Sequence, residues 1–183
     1  MRVFLDFEAS SLADGGFPIE VAWVFENGRS ETHLIRPAEA WTVWDAEAEA
    51  IHRISRDQLA EEGADHRDVA ARMLDQLSGH ALYVTAPSWD GQWLSLLLRT
   101  AGLPRHALRL RDADEAHREA ALNVLKVMGA RDDATAMADK LIDEARWNVL
   151  PETPAHRALG DAEAERQVCL EVQRLARETV RGG

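Results

Sequence analysis

The run FLDFEASSL, from Phe4 to Leu12, sets two carboxylates two residues apart in a segment that otherwise has the composition of a buried strand. Side chains alternate along a strand, so Val3, Leu5 and Phe7 take one face and Phe4, Asp6 and Glu8 the other. The two acids therefore point the same way. An unpaired carboxylate in apolar surroundings costs several kcal/mol or more, and a like neighbour adds repulsion. Something positive has to sit between them.

The rest of the chain bounds what that can be. A length of 183 residues suits one domain, 1–183, with one core. Cys169 is the only cysteine, which excludes an intrachain disulfide and a cysteine-built zinc cluster and points to a reducing compartment. Asp6 and Glu8 interrupt the early apolar run, so no signal peptide is read there. No stretch reaches the roughly 20 apolar residues of a membrane span. A cytoplasmic location is the expectation. The formal charge of −11 argues against a protein that coats nucleic acid, yet 19 of the 21 basic residues are arginine, the better phosphate fork. A small local phosphate site is compatible with that balance.

Five segments have strand character: RVFLDFE, PIEVAWVF, THLIRP, ALYVTA and ALRLRD. Asn27-Gly28 is a hairpin turn signal and joins the second to the third, so the first three form a meander. WDAEAEAIH has helical character. Ser55 with Gln58 forms a capping box for SRDQLAEE, and Val69, Met73 and Leu77 give an amphipathic helix from Asp65. SWDGQWLSLLLRTAG predicts a helix with Ser88 as N-cap and Gly102 as its stop. Helices follow at Glu115 to Met128, Asp133 to Trp147 and, after the loop PETPAH, from about Ala158 to Val180. The pattern is one α/β domain without repeats.

Two later segments supply further chemistry. Asp90 opens a helix just after a strand, where free amides and the helix dipole favour a carboxylate; taken alone that is ordinary helix-start chemistry. In HRALGDAEAE, His156 hangs from the loop and Asp161 projects from the first turns of the last helix. Together, D-x-E on the first strand, an aspartate opening the helix after the fourth, and H-x-A-L-x-D-A opening the last helix resemble the DEDDh, or DnaQ-like, 3′-to-5′ exonucleases. The resemblance runs in order and spacing from Phe4 to about Val172. It implies a ribonuclease H-like three-layer fold with a mixed five-stranded sheet flanked by helices. It also implies that Asp6, Glu8, Asp90 and Asp161 hold two Mg²⁺ or Mn²⁺ ions and that His156 is the histidine that activates water.

A related subclass has tyrosine four residues before the last aspartate, where this chain has Arg157, so the histidine subclass is indicated. AIHRISRDQL resembles the family's I-H-G-I-T segment, with Arg53 in place of glycine. The family's D-x-E-T-T-G-L becomes D-F-E-A-S-S-L, leaving Ser10 as a candidate contact to the terminal sugar. Leu12 is either an apolar wedge against the terminal base or a leucine finishing the strand turn. Trp89 either stacks on a base or packs in the core, and Phe17 is a second stacking candidate. Glu20 reads as a residue that supports the ligands from behind or as a hydrogen-bonded strand residue, with no direct chemistry demanded of it.

The activity implied is removal of nucleoside 5′-monophosphates from the 3′ end of single-stranded nucleic acid, with RNA or short oligonucleotides favoured over DNA because compact members of the family often act there. Small members are often homodimers. An inactive nucleic-acid-binding module of the same fold, and a two-metal endonuclease or nucleotide phosphohydrolase, are the competing readings.

Overall fold

The structure, a computed structural model, describes residues 1–127, 134–151 and 156–182. In chain order it contains β1 (Arg2–Ala9), β2 (Pro18–Phe25), β3 (Ser30–Arg36), α1 (Ala46–His52), α2 (Arg56–Glu62), β4 (Ala64–Asp65) and α3 (His66–Leu77). There follow β5 (Ala81–Val84), α4 (Pro87–Thr100), β6 (Leu110–Asp112), α5 (Ala113–Val127), α6 (Ala134–Val149) and α7 (Ala158–Gly182). The strands form one mixed sheet in the order β4-β3-β2-β1-β5-β6. β1, β2 and β3 are the expected antiparallel meander, and β5 and β6 add in parallel beyond β1. The sheet has six strands where five were expected. The sixth, β4, is only two residues long and pairs parallel to the end of β3, too short for any periodicity to betray.

The alternation read from β1 holds. Val3, Leu5 and Phe7 join one core with Ile19, Val21 and Trp23 of β2, under α3 and α4. Phe4 belongs to a second core on the opposite face, with Tyr83 and the buried sides of α5, α6 and α7. Each fully buried aliphatic or aromatic side chain stabilises the fold by about 1.5–3 kcal/mol. Two such layers let a chain of this size hold charged residues at the sheet's end. β2 is buried along its whole length, and Ala22, small and opposite Asp6, lets α7 pack close to the strand pair.

Local signals act largely as expected. The β2–β3 hairpin turns at Gly28, whose φ of 90° is costly for other residues. Asp45 caps α1 by accepting the Glu47 N–H, and Asp65 caps α3 by accepting that of Arg67. Only half of the expected capping box forms on α2: Ser55 Oγ accepts the Gln58 N–H, while Gln58 donates forward to Glu62. Ser88 is not the N-cap of α4. Pro87, pre-set for the first helical turn, moves the start forward so that Ala86 is the cap. The expected helix limits at Met128 and Asp133 lie outside the described residues, as does most of the PETPAH loop.

Candidate active site

β5 pairs only with Arg2–Phe4 of β1, so the last residues of β1 have no strand on that side. The start of α4 fills the position, and Asp90 Oδ2 accepts the Ala86 N–H at 3.2 Å. On the other side the β1–β2 register shifts between Glu8 and Ala9. Such irregularities re-aim side chains at the ends of strands. This carboxyl end of the central strand is where open α/β sheets place ligands.

Asp6 and Glu8 of β1 face α7, whose first turns carry Asp161. Each of the three offers a carboxylate oxygen, and these oxygens lie within 4.8 Å of one another. Asp90, only 4% exposed, approaches from α4. It is the strongest charged neighbour acting on Asp6, whose carboxyl is pushed well above the usual range by burial and then by Asp90, Glu8 and Asp161. Burial, followed by the charges of Asp161 and Glu20, raises Glu8 to about 7, with Arg157 opposing. Burial raises Asp90 to about 6, and hydrogen bonds from the backbone amides of Ala86, Phe7 and Asp90 itself oppose the rise. Acids so disposed favour protons or cations between them. Hard carboxylate oxygens converging from a strand and two helices fit a hard divalent cation.

An open groove of about 370 Å³ runs along these acids, lined by Asp6, Glu8, Leu12, Trp89, Asp90 and His156, with Ile51 and His52 on the facing wall. A second hollow of about 290 Å³ lies against Asp6 and Asp161, where Thr85 and Glu165 also face it. Leu12 is 66% exposed at the groove, and Trp89, 41% exposed, stacks on Trp93 with ring centroids 5.9 Å apart. Trp89 is therefore not a core residue: it rests on Trp93 and lines the groove. His52 accepts the Ile54 N–H at Nδ1, which leaves the hydrogen on Nε2; that atom is buried with no hydrogen-bond partner among the described residues.

Two expected contacts take other positions. Ser10 is fully buried and does not line the groove. Its hydroxyl accepts the Phe17 N–H and its backbone pairs with Phe17, tying off the turn that presents Leu12. That turn is tight: a Cβ on Gly16 would lie 2.1 Å from the Ser11 carbonyl oxygen. Phe17 is also fully buried and stacks on Trp41 in the core, so it offers no face to a base.

Glu20 and Arg157 carry a role that sequence reading left open. Glu20 lies opposite Glu8 in the β1–β2 ladder and is 2% exposed. Its carboxylate accepts two hydrogen bonds from Arg157, at 2.6 and 3.1 Å, and the Ala158 N–H at 3.0 Å, the first amide of α7. The two residues that follow the motif histidine, Arg157 and Ala158, are thus bolted to the sheet. His156 itself has a left-handed φ of 50°, turning the chain so that its ring meets the groove while Arg157 turns to Glu20. The signal available in sequence was a lone glutamate in an otherwise apolar strand.

A mixed sheet with helices on both faces and acids at the carboxyl end of its central strand is the ribonuclease H-like arrangement, and solved structures of exonuclease I share it. The enzyme from Methylocaldum szegediense superposes with a TM-score of 0.66 at 17% identity, over 98% of this chain and 41% of that one. E. coli exonuclease I, in a zinc-bound complex with single-stranded DNA, gives 0.67 at 16% identity over 99% and 42%. Bound to a dA16 oligonucleotide, it gives 0.66 at 16% over 97% and 42%. The chain thus spans about two fifths of the length of these proteins, and at such identities the likeness is one of fold. No protein-family model matches the sequence, and no curated protein matches it.

Proposed function

We propose that this protein is a metal-dependent 3′-to-5′ exonuclease that releases nucleoside 5′-monophosphates from single-stranded nucleic acid, RNA or short oligonucleotides ahead of DNA. The observation that carries the reading is the convergence of Asp6, Glu8 and Asp161 within 4.8 Å beside a groove that also holds Asp90 and His156. The complex of exonuclease I with single-stranded DNA and zinc supports it from the side of the fold.

Asp6, Glu8, Asp90 and Asp161 would hold two Mg²⁺ or Mn²⁺ ions, which when bound neutralise the acids and supply Lewis acidity to attacking and leaving oxygens. The protein's own groups do the rest. His156, half-buried at the groove, accepts the proton of the attacking water as a positioned general base. Leu12, Ile51 and Trp89 give the terminal base an apolar slot. His52 Nε2–H is a buried donor on the same groove, free to meet a sugar or phosphate oxygen. Glu20 and Arg157 fix the start of α7, so that His156 and Asp161 keep their separation through the reaction.

Matched RNA and DNA strands labelled at the 5′ end, incubated with Mg²⁺ or Mn²⁺, test the reading directly. The expected result is a ladder shortening one nucleotide at a time from the 3′ end, faster on RNA, and silent in chelator. Internal cuts, early loss of the 5′ label or full activity after chelation would overturn it.

A further inference from the structure

A second open groove, of about 460 Å³, lies on the flank of α4, between that helix and the segment leading to β6. Pro87, Ser88 and Gln92 line it from the helix, and Arg105, His106 and Arg109 from the connecting segment. In a chain of net charge −11, no aspartate or glutamate lines this groove. Eight arginines elsewhere sit within ion-pair distance of a carboxylate, whereas Arg105 and Arg109 have no such partner among the described residues. Arg105 Nε donates to His106 Nε2 at 2.9 Å, and all three basic side chains are exposed.

The position matters as much as the charge. Pro87 and Ser88 are followed directly by Trp89 and Asp90, which line the groove of the acids. One helix start therefore forms a wall of both grooves, acidic and apolar on one side, basic on the other. A guanidinium with no carboxylate partner is a ready phosphate fork.

Resting on the nuclease reading above, we infer that this basic groove carries the phosphates of the strand on the 5′ side of the nucleotide held at the acids, with Arg105 and Arg109 as the phosphate-binding residues. The contacts are to backbone, so they lengthen the footprint without reading base sequence.

The test compares a dinucleotide, which has nothing to place in the basic groove, with a twelve-nucleotide strand of the same 3′ end. The double variant Arg105→Ala/Arg109→Ala should cut twelve-nucleotide strands with kcat/KM lowered on the order of tenfold, whatever their base sequence, and cut the dinucleotide as the native protein does. The dependence of log kcat/KM on log salt should become shallower by roughly 0.7 for each lost phosphate contact on a single strand. Arg177→Ala, near Arg2 at the far end of β1, is the control and should change neither substrate. Unchanged kcat/KM on the long strand, or an equal loss on the dinucleotide, overturns the inference. If the native protein cuts neither substrate, the nuclease reading fails instead. Anisotropy of a labelled twelve-nucleotide strand then decides the groove: weaker binding by the double variant sustains it, and equal binding overturns it.

Discussion

Asp6, proposed above to hold a cation, is penalised as a charge first by burial and then by the acids around it. Asp6→Asn keeps the volume and removes the charge, so its two consequences have opposite sign. Turnover should fall by roughly 10²- to 10³-fold or more, the worth of one electrostatic stabiliser in a reaction centre. In chelator at pH 8 the same variant should melt above the native protein, because a buried charge facing three acids has been removed. A lower melting temperature in chelator would show that the Asp6 carboxylate is already balanced by a partner. His156 separates from this behaviour. His156→Ala should slow turnover by about 10²- to 10⁴-fold while keeping the stabilisation that Mg²⁺ gives, since the imidazole is assigned a proton and no metal. Loss of the Mg²⁺-dependent shift in the variant would make it a ligand.

The ends of α1 and α7 show what helix termini contribute. α1 stops at Arg53, which adopts a left-handed φ of 59° and donates its N–H to the Glu49 carbonyl. Glycine takes that conformation without strain. Because Arg53 is exposed and paired with no carboxylate among the described residues, Arg53→Gly should stabilise the protein by up to about 1 kcal/mol. A urea midpoint that rises with unchanged slope would register it, and a fall would mean the arginine holds something more. At α7 the opposite holds: the terminus depends on a distant residue. Glu20→Ala leaves Arg157 and the Ala158 N–H without their acceptor and should cost about 1–3 kcal/mol, discounted because Arg157 is half exposed. Activity should fall further than stability explains at temperatures well below melting, since His156 and Asp161 flank the released segment. Native turnover in a destabilised Glu20→Ala protein would reduce the clamp to a stability device.

At the scale of the whole molecule the acids couple stability to pH. Glu8 at about 7, Asp90 at about 6 and Asp6 still raised all bind protons more tightly folded than unfolded. Their contribution is fully present below the unfolded carboxylate range near pH 4 and is lost as pH rises through the folded values. Two buried histidines work the other way. Burial lowers His117 to about 4 and lowers His52, so both cost stability as pH falls below about 6.5. Between pH 6.5 and 8 the histidines regain only the last of their share, while Glu8 and the more strongly raised Asp6 lose theirs, so the acids set the sign. The metal-free protein should therefore lose melting temperature across that window, Glu8→Gln should flatten the loss, and Mg²⁺ should stabilise more at pH 8 than at pH 6.5. A melting temperature rising with pH in chelator would reverse the sign and remove the acid cluster as its cause.

What the sequence by itself determined is what depends on neighbours within a few residues. The two-residue alternation put Asp6 and Glu8 on one face of β1, and Asn27-Gly28 closed the hairpin. The apolar stripe of α7 became core at Val168, Val172 and Ala176, as local period and turn chemistry require. The order of the acids along the chain was legible for the same reason. Their convergence followed from the resemblance alone and from no local rule, because it depends on β5 ending early beside β1 and on α4 filling the gap. Ser10 and Phe17 passed for groove residues in sequence because their exposure is set by a turn folding back on β2. Glu20 and Arg157 are 137 residues apart, and no local rule joins them. Only packing, which brings distant segments to one place and charges each buried polar group for its lost water, decided which carboxylates face one another and which is held by a cation of the chain itself.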